Sequence, residues 1–413
     1  MGVIPVEGNK NILYIHSDKI VLDDMRWGLY QMGIEPDLYP KKVTMYEDMG
    51  GADIGEEKEE LKGFMERKQY DVVITYDFHI TVAMACQELR VKYISWIYDS
   101  PNLALYTDIA KSGYNYVFAF DKKQYERLSK EGIRHLYYLP LAANVDMTSG
   151  LIITEEDEEK YCHEISFVGS LYKENGYNEK KAVLTQESEK VIRGIIQKTA
   201  LHWEKGLGCF ETLDAGTVDR IYEELGAEVR GLHIDKRYML ELYLLIRKVT
   251  EIDRTGVLNA LAVEHDVTLY TGTDASGLEN VKIRGRADSL EEVPKIYYLS
   301  KINLNITMRS IETGIPQRVF DIMGVGGFVL SNYQEELEEL FVPDREIVLF
   351  RDVPELLKKA EYYLNHEEER IRIAINGYKK VREYYNTQTA LGSMLRAVFP
   401  VQDEKLRNQE QGI

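Results

Sequence analysis

The stretch of the chain richest in chemistry runs from Arg309 to Asn332, RSIETGIPQRVFDIMGVGGFVLSN. Thr313 or Gly314 ahead of Pro316 predicts a helix whose first position holds the proline, where its missing N–H costs nothing. A helix start leaves backbone N–H groups without partners, a setting that suits a phosphate. Arg309 and Arg318 would add charge-assisted donors. Asp321, one turn further in, is an acceptor for ribose hydroxyls. The same residues also fit a plain strand–turn–helix crossover in which Arg318 and Asp321 form a surface pair at i, i+3.

Three other places put reactive side chains just after apolar runs. Asp77-Phe78-His79 follows DVVIT, and Asp99-Ser100-Pro101 follows YISWIY. A carboxylate there can serve as a general base or can cap its own loop. His79 reads either as a group facing a ligand or as a packed core histidine. His16, which closes NILYIH, is a weaker candidate on the same side. In the second half, Thr271-Gly272 and Gly285-Arg286 read either as a pocket for a nucleotide base or as ordinary turns. The sequence contains no Asp-x-Asp tripeptide and no His/Cys cluster, so a carboxylate pair bridging a metal to a diphosphate is not expected.

The elements that must position these residues are legible from periodicity. Nearly continuous apolar runs at 11–16, 71–75, 93–97, 116–120 and 135–139 alternate with helical patterns. They predict a parallel sheet covered on both faces. The acidic run EEDEEK at 155–160 reads as a solvated loop or linker and marks a domain boundary near 150. A second α/β series follows, with strands expected at 164–168, 267–271, 281–283, 302–306, 328–331 and 347–350. Residues 174–262 are too long for one crossover and read as a helical insertion. The chain is helical from about 354 to 399, with residues 386–413 as a terminal helix and polar tail. In open parallel sheets ligands sit beyond the carboxyl ends of the strands, so both halves are expected to line one cleft.

Composition narrows the class. The 413 residues suggest two domains, and 51 basic against 69 acidic residues give a net charge of −18. That sign argues against sequence-independent nucleic-acid binding. Cys86, Cys162 and Cys209 are too dispersed for a disulfide framework and fit a reducing cytoplasm. No signal peptide or apolar run long enough to span a bilayer is apparent, so a cytoplasmic chain without a transmembrane segment is expected.

Several segments resemble one family in the same order along the chain. ETGIPQRVFDIMGVGGFVLSNY, with INLNIT before it and NGYKKV after it, resembles the C-terminal domain of CgeB-type (spore-maturation-like) glycosyltransferases. These are similar to glycosyltransferase family four and have the GT-B fold of two Rossmann-like domains. YDVVITYDFHITVAMAC, YISWIYDSP and LPLAAN resemble the N-terminal domain found with that module. The resemblance implies an α/β protein with residues 1–150 on the acceptor side and 151–385 binding a nucleotide-sugar donor. It places Asp321 on the second acid of a Glu–x7–Glu pattern, which holds the nucleotide ribose. The position of the first acid is taken by Thr313, with Glu312 displaced by one. Gly314 and Ile315 match the turn whose amides meet the donor phosphates. FVGSLY resembles FVGRL, so Gly169 fits a close approach to the donor while Ser170 replaces an arginine, leaving Lys173 or Arg309 to supply charge. Asp77-Phe78-His79 resembles Asp-Trp-His, whose histidine faces the donor sugar; Asp77 and Ser100 then belong to the acceptor side.

The resemblance thus implies transfer of a sugar, by default from UDP, to an unidentified acceptor with no cofactor, and the missing Asp-x-Asp adds the expectation that no metal takes part. It favours retention of configuration, and inversion with Asp99 or His79 as base stays open. A nucleotide-sugar 2-epimerase and a non-catalytic nucleotide-sugar-binding scaffold are the alternatives.

Overall fold

The computed structural model describes residues 10–16, 24–44, 54–203, 206–226 and 232–400. Within these the chain divides into two compact units. One comprises 1–119, 128–139 and 386–413, and the other 120–127 and 140–385. The polar tail beyond residue 400 and part of the helix expected at 22–32 lie outside the described residues.

The first unit is built on six parallel strands: β1 (Ile12–Tyr14), β2 (Asp37–Leu38), β3 (Val72–Tyr76), β4 (Lys92–Trp96), β5 (Asn115–Ala119) and β6 (Leu136–Tyr138). Their order is β2-β1-β3-β4-β5-β6. β3 is buried along its whole length, as a strand covered on both faces must be. The sequence reading missed β2, whose two residues are too short to show any period. The final helix, Thr387–Val398, returns to this unit and packs on the helix Asp24–Gln31. A Cβ at Gly28 would come within 2.9 Å of Thr387 Cγ2, so glycine is what admits that contact.

The second unit repeats the plan with β7 (Ile165–Val168), β8 (Val267–Tyr270), β9 (Lys282–Arg284), β10 (Ile302–Asn305), β11 (Val329–Asn332) and β12 (Val348–Phe350). The order is β12-β11-β10-β7-β8-β9, again all parallel. The order reverses between β7 and β10, so the chain leaves these two neighbours in opposite directions. Their carboxyl ends frame a crevice that no crossover covers.

The insertion between β7 and β8 is helical, as its pattern predicts, and has a core of its own that includes Ile192, Phe210, Ile221 and Leu244. The acidic run at 155–160 departs from expectation. It is a helix, Glu155–Tyr161, started by a capping box in which Thr154 and Asp157 bond each other's backbone N–H. Four acids in its first turn favour the positive end of the helix dipole, so charge that resembles a linker serves as a helix start. Among the described residues, no helix is long and apolar enough to cross a membrane.

Candidate functional site

In the second unit the reversal point is occupied by an arginine. Arg318 projects from the helix Gln317–Gly324 to the ends of β7 and β10. Its Nε donates to the Val168 carbonyl at 2.9 Å and its Nη1 to Asn305 Oδ1 at 3.0 Å. The guanidinium lies over the Phe167 ring, 5.0 Å from its centre. Gly169 makes room for it: its φ is +155°, and a Cβ there would stand 2.7 Å from Arg318 Nη2. The group that closely approaches Gly169 is an arginine of this same chain, where an approach to the donor was expected.

A second guanidinium, which the sequence did not reveal, braces the same strand ends from below. Arg254 is buried; its Nη1 donates to the Ser170 carbonyl at 2.5 Å, and its Nε and Nη2 donate to Ile306 O at 3.2 and 2.8 Å. Burial holds its pKa down, to about 10, so it still carries its charge at neutral pH. Its segment, EIDRTGV, looks like any charged helix, and only tertiary contact singles it out. Asn305 had a visible signal: polar Asn303 and Asn305 alternate inside the apolar run INLNI. Asn305 Nδ2 donates to Thr307 Oγ1 and Ser331 Oγ, tying the ends of β10 and β11 together.

Ser170, Thr271 and Thr273 form one hydroxyl chain across the loops after β7 and β8, with Oγ separations of 3.4 and 2.9 Å. Gly272 packs on the side chain of Arg286, which with Gly285 is exposed beyond β9. Lys173 stands next to Gly277 and Asp274 on the same loops. Asp321 accepts from Gln317 Nε2 at 2.7 Å, one turn along the helix that carries Arg318.

Three expectations about this helix are corrected. Pro316 is the N-cap and not the first helical residue, because its ψ of 150° keeps the backbone extended up to Gln317. Thr313 therefore does not cap the helix; its hydroxyl donates to Glu336 Oε1 at 2.8 Å. The amides of Glu312, Thr313 and Gly314 are not open to an anion. All three donate to Asp121 Oδ2, at 2.7, 3.2 and 3.2 Å, and Gly314 is pressed so closely on Asp121 that a Cβ would stand 2.8 Å from its Cβ. Ile315 is buried beside this turn.

Arg309 is also committed elsewhere. Its Nε and Nη2 form a buried fork with Asp253 at 2.6 and 3.1 Å, and its Nη1 donates to His202 O. Removing one partner of such a pair strands a buried charge, and the fork is not available to a phosphate. Glu312 is held by Arg127 Nη2 at 2.5 Å; burial pushes its pKa up and the arginine opposes that.

In the first unit the strand order reverses between β1 and β3, and the reactive residues collect at those ends. Asp77 ends β3 with φ at +54° and is fully buried. Its Oδ1 accepts the amides of Tyr98 and Asp99 at 2.9 and 3.0 Å. Burial, then the Asp99 carboxylate beside it, push the Asp77 pKa well up. Asp99 itself is exposed and Ser100 buried. His16 is half-buried and edge-on to Tyr14.

His79 does not face a ligand. It is buried, with Nδ1 3.3 Å from Thr44 O and Nε2 3.1 Å from Tyr76 O, so both ring nitrogens face backbone carbonyls, and a neutral imidazole donates to one of them. Among the described residues, no group of three or more His, Cys, Asp or Glu is placed to hold a metal ion.

Comparison with known proteins agrees with this geometry. Residues 254–396, which carry β8 to β12 and Arg318, match the family described as Glycosyl transferase-like, so this part of the chain is a glycosyltransferase domain. No curated protein shows significant sequence similarity to the chain. Among solved structures, sucrose-phosphate synthase from Thermosynechococcus elongatus superposes with a TM-score of 0.55 at 10% identity, covering 94% of this chain and 99% of that one. A glycosyltransferase from Rickettsia africae gives 0.51 at 11% identity over 95% and 100%. Anabaena HepE, solved in complex with UDP, gives 0.50 at 11% over 98% and 100%. These likenesses establish the GT-B fold for the whole chain.

Proposed function

We propose that the protein transfers a glycosyl group from a UDP-sugar to an acceptor without a divalent metal, as a CgeB-type relative of glycosyltransferase family four. One observation carries the reading: a guanidinium, Arg318, stands at the reversal point of the second sheet, packed on a glycine whose missing side chain admits it. Negative charge grows on a diphosphate as the bond from the anomeric carbon to the phosphate oxygen breaks. A fixed cation placed there stabilises that charge with little reorganisation. Arg318 is that cation, and Arg254 holds the strand ends that orient it.

Asp321 takes the ribose hydroxyls, and the loops carrying Thr271, Gly272 and Arg286 take the base. The acceptor oxygen forms the new bond to the anomeric carbon on the face the diphosphate leaves, and the acceptor proton departs with the diphosphate. This retains configuration, the outcome the family-four resemblance implies.

A thermal-shift screen of the full chain against UDP, GDP, ADP and CMP tests the donor. A ligand at one hundred times its Kd stabilises a fold by about 2.7 kcal/mol. UDP is expected to raise Tm the most, and UDP-sugars to release UDP on incubation. A chain that none of the four stabilises would overturn the reading.

A further inference from the structure

The second unit buries a positive charge that has no counter-ion. Arg254 is 3% exposed, and its guanidinium donates to the carbonyls of Ser170 and Ile306. Arg318 is half-buried and donates to Val168 O and Asn305 Oδ1. Both guanidiniums lie over one ring, that of Phe167, at 5.2 and 5.0 Å from its centre. Among the described residues, neither has a carboxylate within ion-pair distance. A buried charge left without such a partner is costly.

The nearby carboxylates are already engaged. Asp253, next to Arg254 in sequence, gives both oxygens to Arg309 at 2.6 and 3.1 Å. Asp321, on the helix that carries Arg318, accepts from Gln317 Nε2. The two cations also feel each other. Burial first, and then Arg318, hold the Arg254 pKa down.

Asn305 stands where a counter-ion would stand. It is fully buried, accepts from Arg318 Nη1 at 3.0 Å, and donates through Nδ2 to Thr307 Oγ1 and Ser331 Oγ at 3.0 and 2.9 Å. Ser331 spends its own hydroxyl proton on Asn332 O, which leaves its oxygen to accept and fixes the amide's orientation. An aspartate has the same shape, and could meet Arg318 with one oxygen and the Thr307 hydroxyl with the other. Space therefore does not demand an asparagine here. Its neutrality is what leaves Arg318 unpaired.

We propose that Arg254 and Asn305 set the charge of the donor site. Arg254 is a second cation beside Arg318, and the neutral Asn305 leaves the pair without a counter-ion until a dianionic diphosphate supplies one. A nucleoside diphosphate sugar fits that demand, with one negative charge on each phosphate. Both are positioning residues that do not touch the ligand: Asn305 acts through Arg318, and Arg254 through a field that burial leaves little screened. The proposal rests on the glycosyltransferase reading and names what selects its diphosphate.

Calorimetric titration of the full chain with UDP, and separately with inorganic pyrophosphate, tests this across a series of sodium chloride concentrations. Asn305→Asp places a carboxylate on Arg318. It is expected to weaken both ligands about tenfold or more, while the Tm of the free chain stays level or rises. Arg254→Gln keeps a donor for the carbonyls and removes the charge, and is expected to weaken both about fivefold or more. In both variants log Kd should depend less steeply on log salt than in the native chain.

A folded Asn305→Asp chain that binds both ligands within twofold of native would overturn the proposal. So would an Arg254→Gln chain that loses affinity with the native salt slope, since Arg254 would then be a brace alone. Native binding of pyrophosphate without UDP, with these responses to the variants, would support the two-cation site and strike the UDP reading. Binding of neither would overturn both.

Discussion

The two sheets solve the same topological problem with opposite charges. At the reversal point of the first sheet sits a buried carboxyl, Asp77, with two amides on one oxygen and a second carboxylate beside it. At the reversal point of the second sits a guanidinium, Arg318, bonded to a carbonyl and an amide side chain. Strand ends of parallel sheets present loops and helix starts to the same side, so either sheet offers a place for a ligand. What decides the ligand is the sign and availability of the charge placed there. The first end keeps its carboxyl fully buried with one oxygen spent on two amides, while the second presents a half-buried guanidinium.

The largest effect that sharpens this contrast is on stability. Arg309 lies near the cation end in sequence but is locked to Asp253. Arg309→Ala should therefore cost about 3–5 kcal/mol by stranding a buried charge. UDP affinity of the folded protein should change less than twofold, as read by denaturant unfolding and calorimetric titration. A large loss of affinity with little loss of stability would return Arg309 to the phosphate site.

Next is Glu241, whose carboxylate accepts the amides of Gly208 and Cys209 at 2.8 and 2.6 Å in the insertion. Burial raises its pKa to about 7. A carboxyl with a raised folded pKa binds its proton more tightly folded than unfolded, so stability is fully present below about 4.5 and falls as pH rises to about 7. The share at stake is on the order of 3 kcal/mol. Tm should fall between pH 5 and 7.5 in the native chain, and Glu241→Gln should flatten that slope. An unchanged slope would show that Glu241 does not titrate there.

Removing the cation itself comes third. Arg318→Ala should weaken UDP binding about 10- to 100-fold, the worth of one or two charge-assisted hydrogen bonds. Gly169→Ala should do the same by displacing Arg318 Nη2. If calorimetry finds UDP affinity intact in both variants, the contrast between the two sheets loses its functional meaning.

The acidic end gives a smaller effect. Asp77→Asn keeps an acceptor for Tyr98 and Asp99 and removes the titration. The native carboxyl has its pKa raised, so the stability tied to its proton is lost as pH rises through that value. The asparagine variant should match the native chain near pH 4 and exceed it near pH 8 in Tm. The smallest expected effect is none: excess EDTA should leave UDP-sugar turnover within twofold, and a collapse rescued by magnesium or manganese would overturn metal-independent transfer.

Much of the fold was legible because parallel strands buried on both faces must be apolar along their length. Among the described strands, the buried ones follow from runs such as DVVIT, INLNI and FVLS; β9, exposed throughout, was marked only by the short run at 281–283, and β2 escaped because two residues carry no period. The insertion was equally plain, since length alone excludes a simple crossover. Gly169 and Arg318 were legible as candidates by type and by place after a strand or at a helix start.

Which charges remained available was decided only by tertiary structure. Sequence spacing shows that Arg309 and the amides of 312–314 lie near a strand end, yet Asp253 and Asp121, 56 and about 190 positions away, have claimed them. His79 looked like a ligand-facing residue until two backbone carbonyls faced its ring nitrogens. Arg254, indistinguishable in a charged helix, became a brace for the site. A side chain's type and its distance from a strand end are local properties that the chain carries in its order. Whether its hydrogen bonds are already spent depends on partners brought in by folding, and a linear pattern holds no record of them.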